Sequence, residues 1–481
     1  MSQRIVDQSQ RKMLLVALLA LAGCATNPVT GNRELALISE GQEIQMGQQA
    51  AQEVEASLGL VKDADLQAYV RRVGMAMASK SERPKLPWRF GVIDDPTPNA
   101  FALPGGPIYI TRGLMSLMDS EAELAAVLGH EIGHITARHS VSQMSKAQLT
   151  QLGLGLGMIL APQLQNLGGA LSQGMQLLFL KYGRDDERQS DDLGFRYSLN
   201  QGYDVREMDD VFASLARTAE LEQRSALPSW LSTHPAPEER IQRINQKVAA
   251  LPGLPAAAIV NRADYLGQVD DLVYGADPRQ GFFRNGEFLH PDLRFRLQFP
   301  RDWKTQNLPQ AVMAGSPRGD AMIQLTLSKG SPTDAANAFF GQQGIQSTQV
   351  GRDNVNGIPA VTGYFQVQTQ QGVLAGFAAF LQHNGNTYQL LEYTGSNLLQ
   401  SYDQVFRSVA RSFAPLTDPS ILNVRPNRID VVRLQSPMSL SDFNRRNPSA
   451  ISINELVLIN QVASANTVLP AGSYVKRVVA G

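Results

Sequence analysis

Ser120-Glu121-Ala122-Glu123-Leu124-Ala125-Ala126-Val127-Leu128-Gly129-His130-Glu131-Ile132-Gly133-His134 places Leu124, Val127 and Leu128, and then Ile135, at helical spacing behind a serine with a glutamate three residues on. That pattern predicts a helix opened by a capping box. Within it two histidines at i and i+4 leave one face with a carboxylate between them, which offers two imidazoles to a zinc ion and a base to its water. Gly129 and Gly133 leave the helix thin beside those side chains, which costs helix stability and permits close approach of another element.

A catalytic zinc takes three protein ligands and keeps a position open for water, so the pentapeptide is incomplete alone. His139 stands five residues past His134, about 140° around a continuing helix, and reads as a surface histidine. The run Arg184-Asp185-Asp186-Glu187-Arg188-Gln189-Ser190-Asp191-Asp192-Leu193-Gly194 puts Glu187 and Asp191 one turn apart on one face. One of these carboxylates can bind zinc while the other orients a ligand histidine, although so many charges also fit a solvated helix face.

Near the start, Arg4, Arg11 and Lys12 precede an apolar run from Met13 to Gly23, long enough for a signal-peptide core and short for a membrane span. Its end, Leu21-Ala22-Gly23-Cys24, resembles a bacterial lipobox, which implies lipidation at Cys24. Ala25, where the sorting pattern of such lipoproteins would use Asp for retention, implies an outer-membrane lipoprotein facing the periplasm. Cys24 is the single cysteine, so neither a disulfide within the chain nor a multi-thiolate metal site is available. The formal net charge is −1, leaving no basic excess for nucleic acid. No later apolar stretch reaches the roughly eighteen uninterrupted residues of a spanning helix, so the lipid is the expected membrane anchor.

Asn27-Pro28-Val29-Thr30-Gly31, the segment Asn99 to Gly106, the HEIGH pentapeptide, Glu187 with Asp191, and Thr233-His234-Pro235 with Arg240 occur in that order. Together they resemble zinc metallopeptidase family forty-eight, the gluzincins that include the CAAX prenyl protease and the HtpX- and BepA-type peptidases. The resemblance implies one Zn2+ per chain held by His130, His134 and Glu187. Glu131 would be the general base, and Asp191 would sit behind a ligand imidazole. Asn99 and Ala100 would start the edge that pairs with an extended substrate, and His234 and Arg240 would lie near the metal as catalytic groups. His234 has two readings there. As a donor it stabilises the oxyanion of the tetrahedral intermediate; as a neutral imidazole it fills the open zinc position and makes its loop a switch.

The fold class expected is α+β: a mainly helical zincin domain with a small sheet, then an α+β sandwich, then a small βααβ module. Leu66, Tyr69, Val70, Val73 and Met77 predict a helix under the zinc helix, and Trp88 to Ile93 a strand. Gln148 to Leu180, rich in Gly, Leu, Gln and Met and almost uncharged, reads either as buried helices or as a mobile apolar lid. Leu293, Phe295, Leu297 and Phe299, and Ile323, Leu325 and Leu327, alternate as strands do; Asn384-Gly385 marks a hairpin, and Leu399, Tyr402, Phe406, Val409 and Phe413 a closing helix. This segment is faintly similar to PsbP-like sandwiches; His290 and His383 have no ligand-type neighbours in it. The last sixty or so residues resemble a LysM module, with Ser436-Pro437-Met438-Ser439 where that family has Gly-Asp-Thr. The boundaries expected are 1–23 signal peptide, 24–40 tether, 41–250 peptidase, 251–287 linker, 288–416 α+β domain and 421–481 LysM-like module.

The function expected is a lipid-anchored, periplasm-facing zinc endopeptidase that hydrolyses misfolded, stalled or unassembled envelope proteins. Peptidoglycan is a further expected partner of the tail, and nucleic acid is not one. A chaperone or scaffold for outer-membrane protein assembly with a latched zinc site, and a peptidoglycan-binding protein, are the alternatives.

Overall fold

Two helices cross at three glycines, and that crossing sits in the main apolar core of the first of the chain's two units. In the computed structural model, which describes residues 24–154, 177–219, 230–235, 237–253, 257–369 and 372–481, the HEIGH helix runs Glu121–Thr136 and the carboxylate helix Arg184–Asn200. A Cβ on Gly194 would stand 2.8 Å from the His130 backbone nitrogen, and one on Gly133 would stand 3.0 Å from the Ser190 Cα. The backbones therefore touch, and this lets the short arms of Glu187 and Asp191 reach the histidines. Gly194→Val, which wedges the helices apart, is expected to cost about 1–3 kcal/mol and to lower bound zinc; denaturant melts and metal analysis check both. Ser120 Oγ accepts from the Glu123 N–H as the cap predicts, while the Glu123 carboxylate accepts from Asp119 N–H, one residue ahead of the box position.

The chain divides into two units; the first runs to Tyr274 and resumes over Arg428–Val479, and the second holds Gly275–Asn427 with the last two residues. The expected signal peptide, and the apolar stretch except its two ends, lie outside the described residues. The expected tether, 24–40, is instead structured. Strands β1 (Cys24–Thr26) and β2 (Arg33–Leu35) form a hairpin, and the Asn27 amide donates to the Ala137 carbonyl at 3.2 Å. Behind a Ser39–Gln42 capping box, helix Glu40–Leu58 follows; its buried Glu43 pairs with Arg83 and Arg138, and Arg83 donates to Ile135 O. These contacts satisfy carbonyls at the C-terminal end of the HEIGH helix, which would otherwise lack partners.

Helix Ala64–Ala78 buries Leu66, Tyr69, Val70, Val73 and Met77 in the core that also holds the HEIGH helix, as their spacing predicts. A three-stranded sheet has the order β3 (Arg89–Ile93), β5 (Pro107–Thr111), β4 (Ala100–Ala102), parallel across the first pair and antiparallel across the second. The expected linker 251–287 is mostly not one. Helix Arg262–Val269 buries Tyr265, Leu266 and Val269 in the same core, and the Tyr265 hydroxyl donates to Met115 O at 2.7 Å.

In the second unit, β6 (Phe282–Arg284), β7 (Glu287–His290), β8 (Phe295–Gln298) and β16 (Ala414–Pro415) make one antiparallel sheet. A seven-stranded antiparallel sheet holds β9 (Lys304–Leu308), β10 (Ala311–Gly315), β11 (Ala321–Ser328), β12 (Ile345–Val355), β13 (Ile358–Thr369), β14 (Gly372–His383) and β15 (Asn386–Gly395), in the order β12-β13-β14-β15-β11-β10-β9. Asn384 and Gly385 turn β14 into β15 with φ of 47° and 78°, and helix Leu399–Ser412 packs Tyr402, Phe406 and Val409 into the core. Phe295, Leu297, Ile323 and Leu325 are buried as alternation predicts, whereas Leu327, near the end of β11, is 55% exposed.

The tail is not an appended module. Strands β17 (Arg428–Arg433) and β20 (Tyr474–Val479) pair around helices Leu440–Arg446 and Ile453–Ile459, with β18 (Met438–Ser439) and β19 (Val468–Leu469) as a second short pair. This is the expected βααβ order, but it belongs to the first unit. Buried Lys476 lies 2.7 Å from Asp119 and donates to Ser116 O and Met118 O. Gln461 donates to Leu117 O and to Glu123. The tail thus grips the residues immediately ahead of the HEIGH helix. Lys476→Met, which leaves Arg262 as the one ion-pair partner of the buried Asp119 among the described residues, is expected to destabilise the first unit by about 3 kcal/mol, read from its denaturant midpoint.

Candidate metal centre

His130 and His134 leave the HEIGH helix one turn apart, Glu187 reaches across from the carboxylate helix, and His234 follows the short helix Trp230–Thr233. All four are buried, and one donor atom from each lies within 4.8 Å of the others. His134 Nε2 is 3.0 Å from His130 Nε2, and His234 Nδ1 is 3.3 Å from the same nitrogen. Glu187 Oε1 stands 2.9 Å from His234 Nδ1 and 3.5 Å from His134 Nε2; its Oε2 is 3.6 Å from His130 Nε2. Zinc bonds of about 2.0–2.1 Å in a tetrahedron separate neighbouring ligand atoms by about 3.3 Å. Three imidazole nitrogens and a carboxylate converging at that spacing turn lone pairs toward one point, so the donor set fits a zinc ion.

A second layer fixes the first. Asp191 Oδ1 sits 3.0 Å from His130 Nδ1, and Arg240 binds Asp191 through Nε and Nη2 at 2.8 and 2.6 Å. Its Nη1 lies 3.2 Å from Glu187 Oε2, and its guanidinium covers the Phe212 and Trp230 rings at 4.2 and 4.4 Å. Arg240 therefore touches two carboxylates of the site and orients them. Burial pushes the Asp191 carboxyl up, but Arg240 and His130 outweigh it and hold it well below the usual range. For Glu187 burial likewise raises, and His234, His130 and Arg240 together bring the group below its ordinary value. Burial, with His130 next, pushes His134 well below the usual imidazole value. His234 is pulled down by burial and up by Glu187 and Glu131, and ends raised. An ionised carboxylate and a neutral imidazole are the forms a metal takes.

Glu131 is fully buried. Its Oε1 is 3.5 Å from the Trp230 indole nitrogen and 3.7 Å from His234 Nε2, while Oε2 has no hydrogen-bond partner among the described residues. Asn99 is buried, its N–H donating to Thr111 Oγ1 at 3.0 Å, and Ala100 opens β4 at an edge of the small sheet. Trp230 N–H donates to Pro98 O, so the segment carrying His234 adjoins that edge. Cys24 opens β1.

One expectation is overturned and two residues are new. His139 is 3% exposed rather than a surface residue; the 140° projection assumed one continuing helix, whereas the helix stops at Thr136 and another begins at His139. Tyr182 lies on the His134 ring with centroids 3.9 Å apart, and Trp230 stacks on His234 at 4.7 Å. Trp230 precedes His234 by one helical turn, the one local signal the sequence held for it.

Residues 64–248 match peptidase family M48. The chain is 32% identical over 226 residues to the beta-barrel assembly-enhancing protease of Escherichia coli K12, covering 45% of this chain and 46% of that one. It is 31% identical over 224 residues to the mitochondrial metalloendopeptidase OMA1 of Schizosaccharomyces pombe, covering 46% and 65%. The chain thus spans about half the length of the first of these curated relatives. A solved structure, cyanobacterial PsbP from Synechocystis, matches at TM-score 0.24 and 16% identity over 27% of this chain and 91% of that one. The matched segment, which is similar to peptidase family M48, encloses both helices of the donor cluster and His234 itself.

Proposed function

We propose that the protein is a zinc-dependent endopeptidase whose metal is held by His130, His134 and Glu187. The observation that carries this reading is the buried donor cluster with Glu131 beside it. When bound, zinc lowers the pKa of its water to about 7 and polarises the scissile carbonyl. Glu131 takes the proton of the attacking water and passes it to the leaving amine. Asp191 keeps the His130 ring in the tautomer that turns Nε2 inward, and Arg240 holds Asp191 and Glu187 in their ionised forms. The β4 edge, from Asn99 and Ala100 onward, pairs with an extended substrate backbone, which gives affinity with little sequence preference. One zinc per purified chain, lost in Glu187→Ala together with casein cleavage, is the expected result; zinc retained in that variant would remove Glu187 from the ligand set.

The compartment and substrates proposed are the periplasmic face of the outer membrane and misfolded or unassembled envelope proteins. Supporting this are the lipobox-like residues ending at Cys24 and the relative whose name is beta-barrel assembly-enhancing protease. No helix among the described residues is long and apolar enough to cross a membrane. Palmitate labelling that is lost in Cys24→Ala tests the anchor, and sedimentation of the full chain with purified peptidoglycan tests the tail.

A second reading is favoured by His234, whose Nδ1 stands among the ligand atoms. In it the resting enzyme is latched and the protein serves as a chaperone or scaffold in outer-membrane protein assembly. That reading expects a Glu131→Gln protein to keep its cellular role, and the endopeptidase reading expects the role to be lost.

A further inference from the structure

Asp191 accounts for the outer nitrogen of His130, but nothing in the mechanism above accounts for that of His134. The HEIGH helix ends at Thr136, and Arg138 takes a left-handed φ of 59° before the next helix begins at His139. This break swings the His139 ring back, edge on, until its Nδ1 lies 2.9 Å from His134 Nδ1. Two lone pairs do not face each other at that distance, so one of the two nitrogens carries a hydrogen.

Gln189 decides which. His139 Nε2 stands 2.9 Å from Gln189 Oε1, and an amide oxygen only accepts, so the hydrogen of the His139 ring is on Nε2. His139 Nδ1 is then the acceptor, and His134 donates to it from Nδ1. That leaves the lone pair of His134 on Nε2, the atom that faces His130 and Glu187. The opposite tautomer would put a hydrogen into the middle of the donor cluster. Ser190 Oγ lies 3.3 Å from the same His139 Nδ1, where its hydroxyl is a second, more distant donor to the lone pair that takes the His134 hydrogen.

We propose that His139, oriented by Gln189, is a positioning residue that locks His134 in its Nε2-ligating tautomer, an uncharged counterpart of Asp191 behind His130. This rests on the reading of the cluster as a zinc site. It makes the carboxylate helix supply more than Glu187 and Asp191: Gln189, between them in sequence, sets the second histidine as Asp191 sets the first.

The test is the equilibrium zinc affinity of the full chain by competition with a chelator, for wild type, His139→Phe, His139→Asn and Gln189→Leu. Thermal midpoints of the metal-free proteins and visible spectra of their cobalt(II) forms are read alongside. Phenylalanine fills the ring volume without an acceptor and is expected to weaken zinc about 10- to 100-fold. Asparagine puts a carbonyl oxygen near the place of Nδ1 and is expected to restore affinity to within about threefold, with a wild-type cobalt spectrum. Gln189→Leu is expected to fall between the two. If His139→Phe binds zinc as tightly as wild type, or if Phe and Asn weaken it equally, the proposal is overturned while the zinc site stands. If wild type binds no zinc, the site reading itself fails and takes the proposal with it.

Discussion

Replacing Glu131 with glutamine is expected to lower kcat/KM on a labelled casein by about 10²–10⁴ while one zinc per chain stays bound. Glutamine keeps the shape of the side chain and an oxygen for the Trp230 indole, whose nitrogen is 3.5 Å from Glu131 Oε1. What it loses is the ability to accept a proton from the attacking water. Glu131 is not in the cluster of potential ligands, so metal content separates a lost base from a lost site. Its Oε2 has no partner among the described residues, so no hydrogen bond is broken and the thermal midpoint is expected to move little. Zinc analysis, a melt and a steady-state assay on one preparation make the comparison. Cleavage surviving at a tenth of the wild-type rate would take the proton-transfer role away from Glu131.

The parts of this site that the sequence displays are those set by a single helical turn. His130 with His134, and Glu187 with Asp191, each share a face because 3.6 residues make a turn, and Gly129 and Gly133 beside the histidines announce a close crossing that Gly194 completes. His139 is hidden because its position depends on a helix break at Arg138, which no local pattern marks. Tyr182 and Trp230 are hidden for a different reason: their rings meet the histidines only after segments remote in the chain have packed. The same holds for domain limits. Tyr265, Leu266 and Val269 form too short an apolar set to stand out from a Pro-, Gly- and Ala-rich stretch, so a core helix reads as linker. The βααβ order of the tail is local and legible, whereas its place in the first unit rests on contacts far apart in sequence, Lys476 with Asp119, Gln461 with Glu123 and Leu117 in the tail's apolar core.

His234→Ala is expected to change KM and kcat in the same direction for two unrelated reasons. On the latched reading His234, with its Nδ1 among the ligand atoms and its ring against Trp230 and Tyr182, would compete with substrate for the metal. Competition of that kind raises KM and leaves kcat alone, because saturating substrate displaces the latch. Removing it is therefore expected to lower KM about tenfold, the effect of freeing a binding-competent state populated at about 10%. On the oxyanion reading the displaced imidazole would stand beside the reacting carbonyl as a donor, and losing one oxyanion donor costs about 10²–10³ in kcat. Steady-state kinetics at matched zinc content read the two roles separately. An unchanged KM removes the latch, an unchanged kcat removes the oxyanion donor, and no change in either removes His234 from the chemistry. Trp230→Phe supplies the control in kcat. It keeps a ring against His234 and loses the indole N–H near Glu131, so it is expected to leave the oxyanion contribution in place, and a kcat loss confined to His234→Ala then belongs to the imidazole itself.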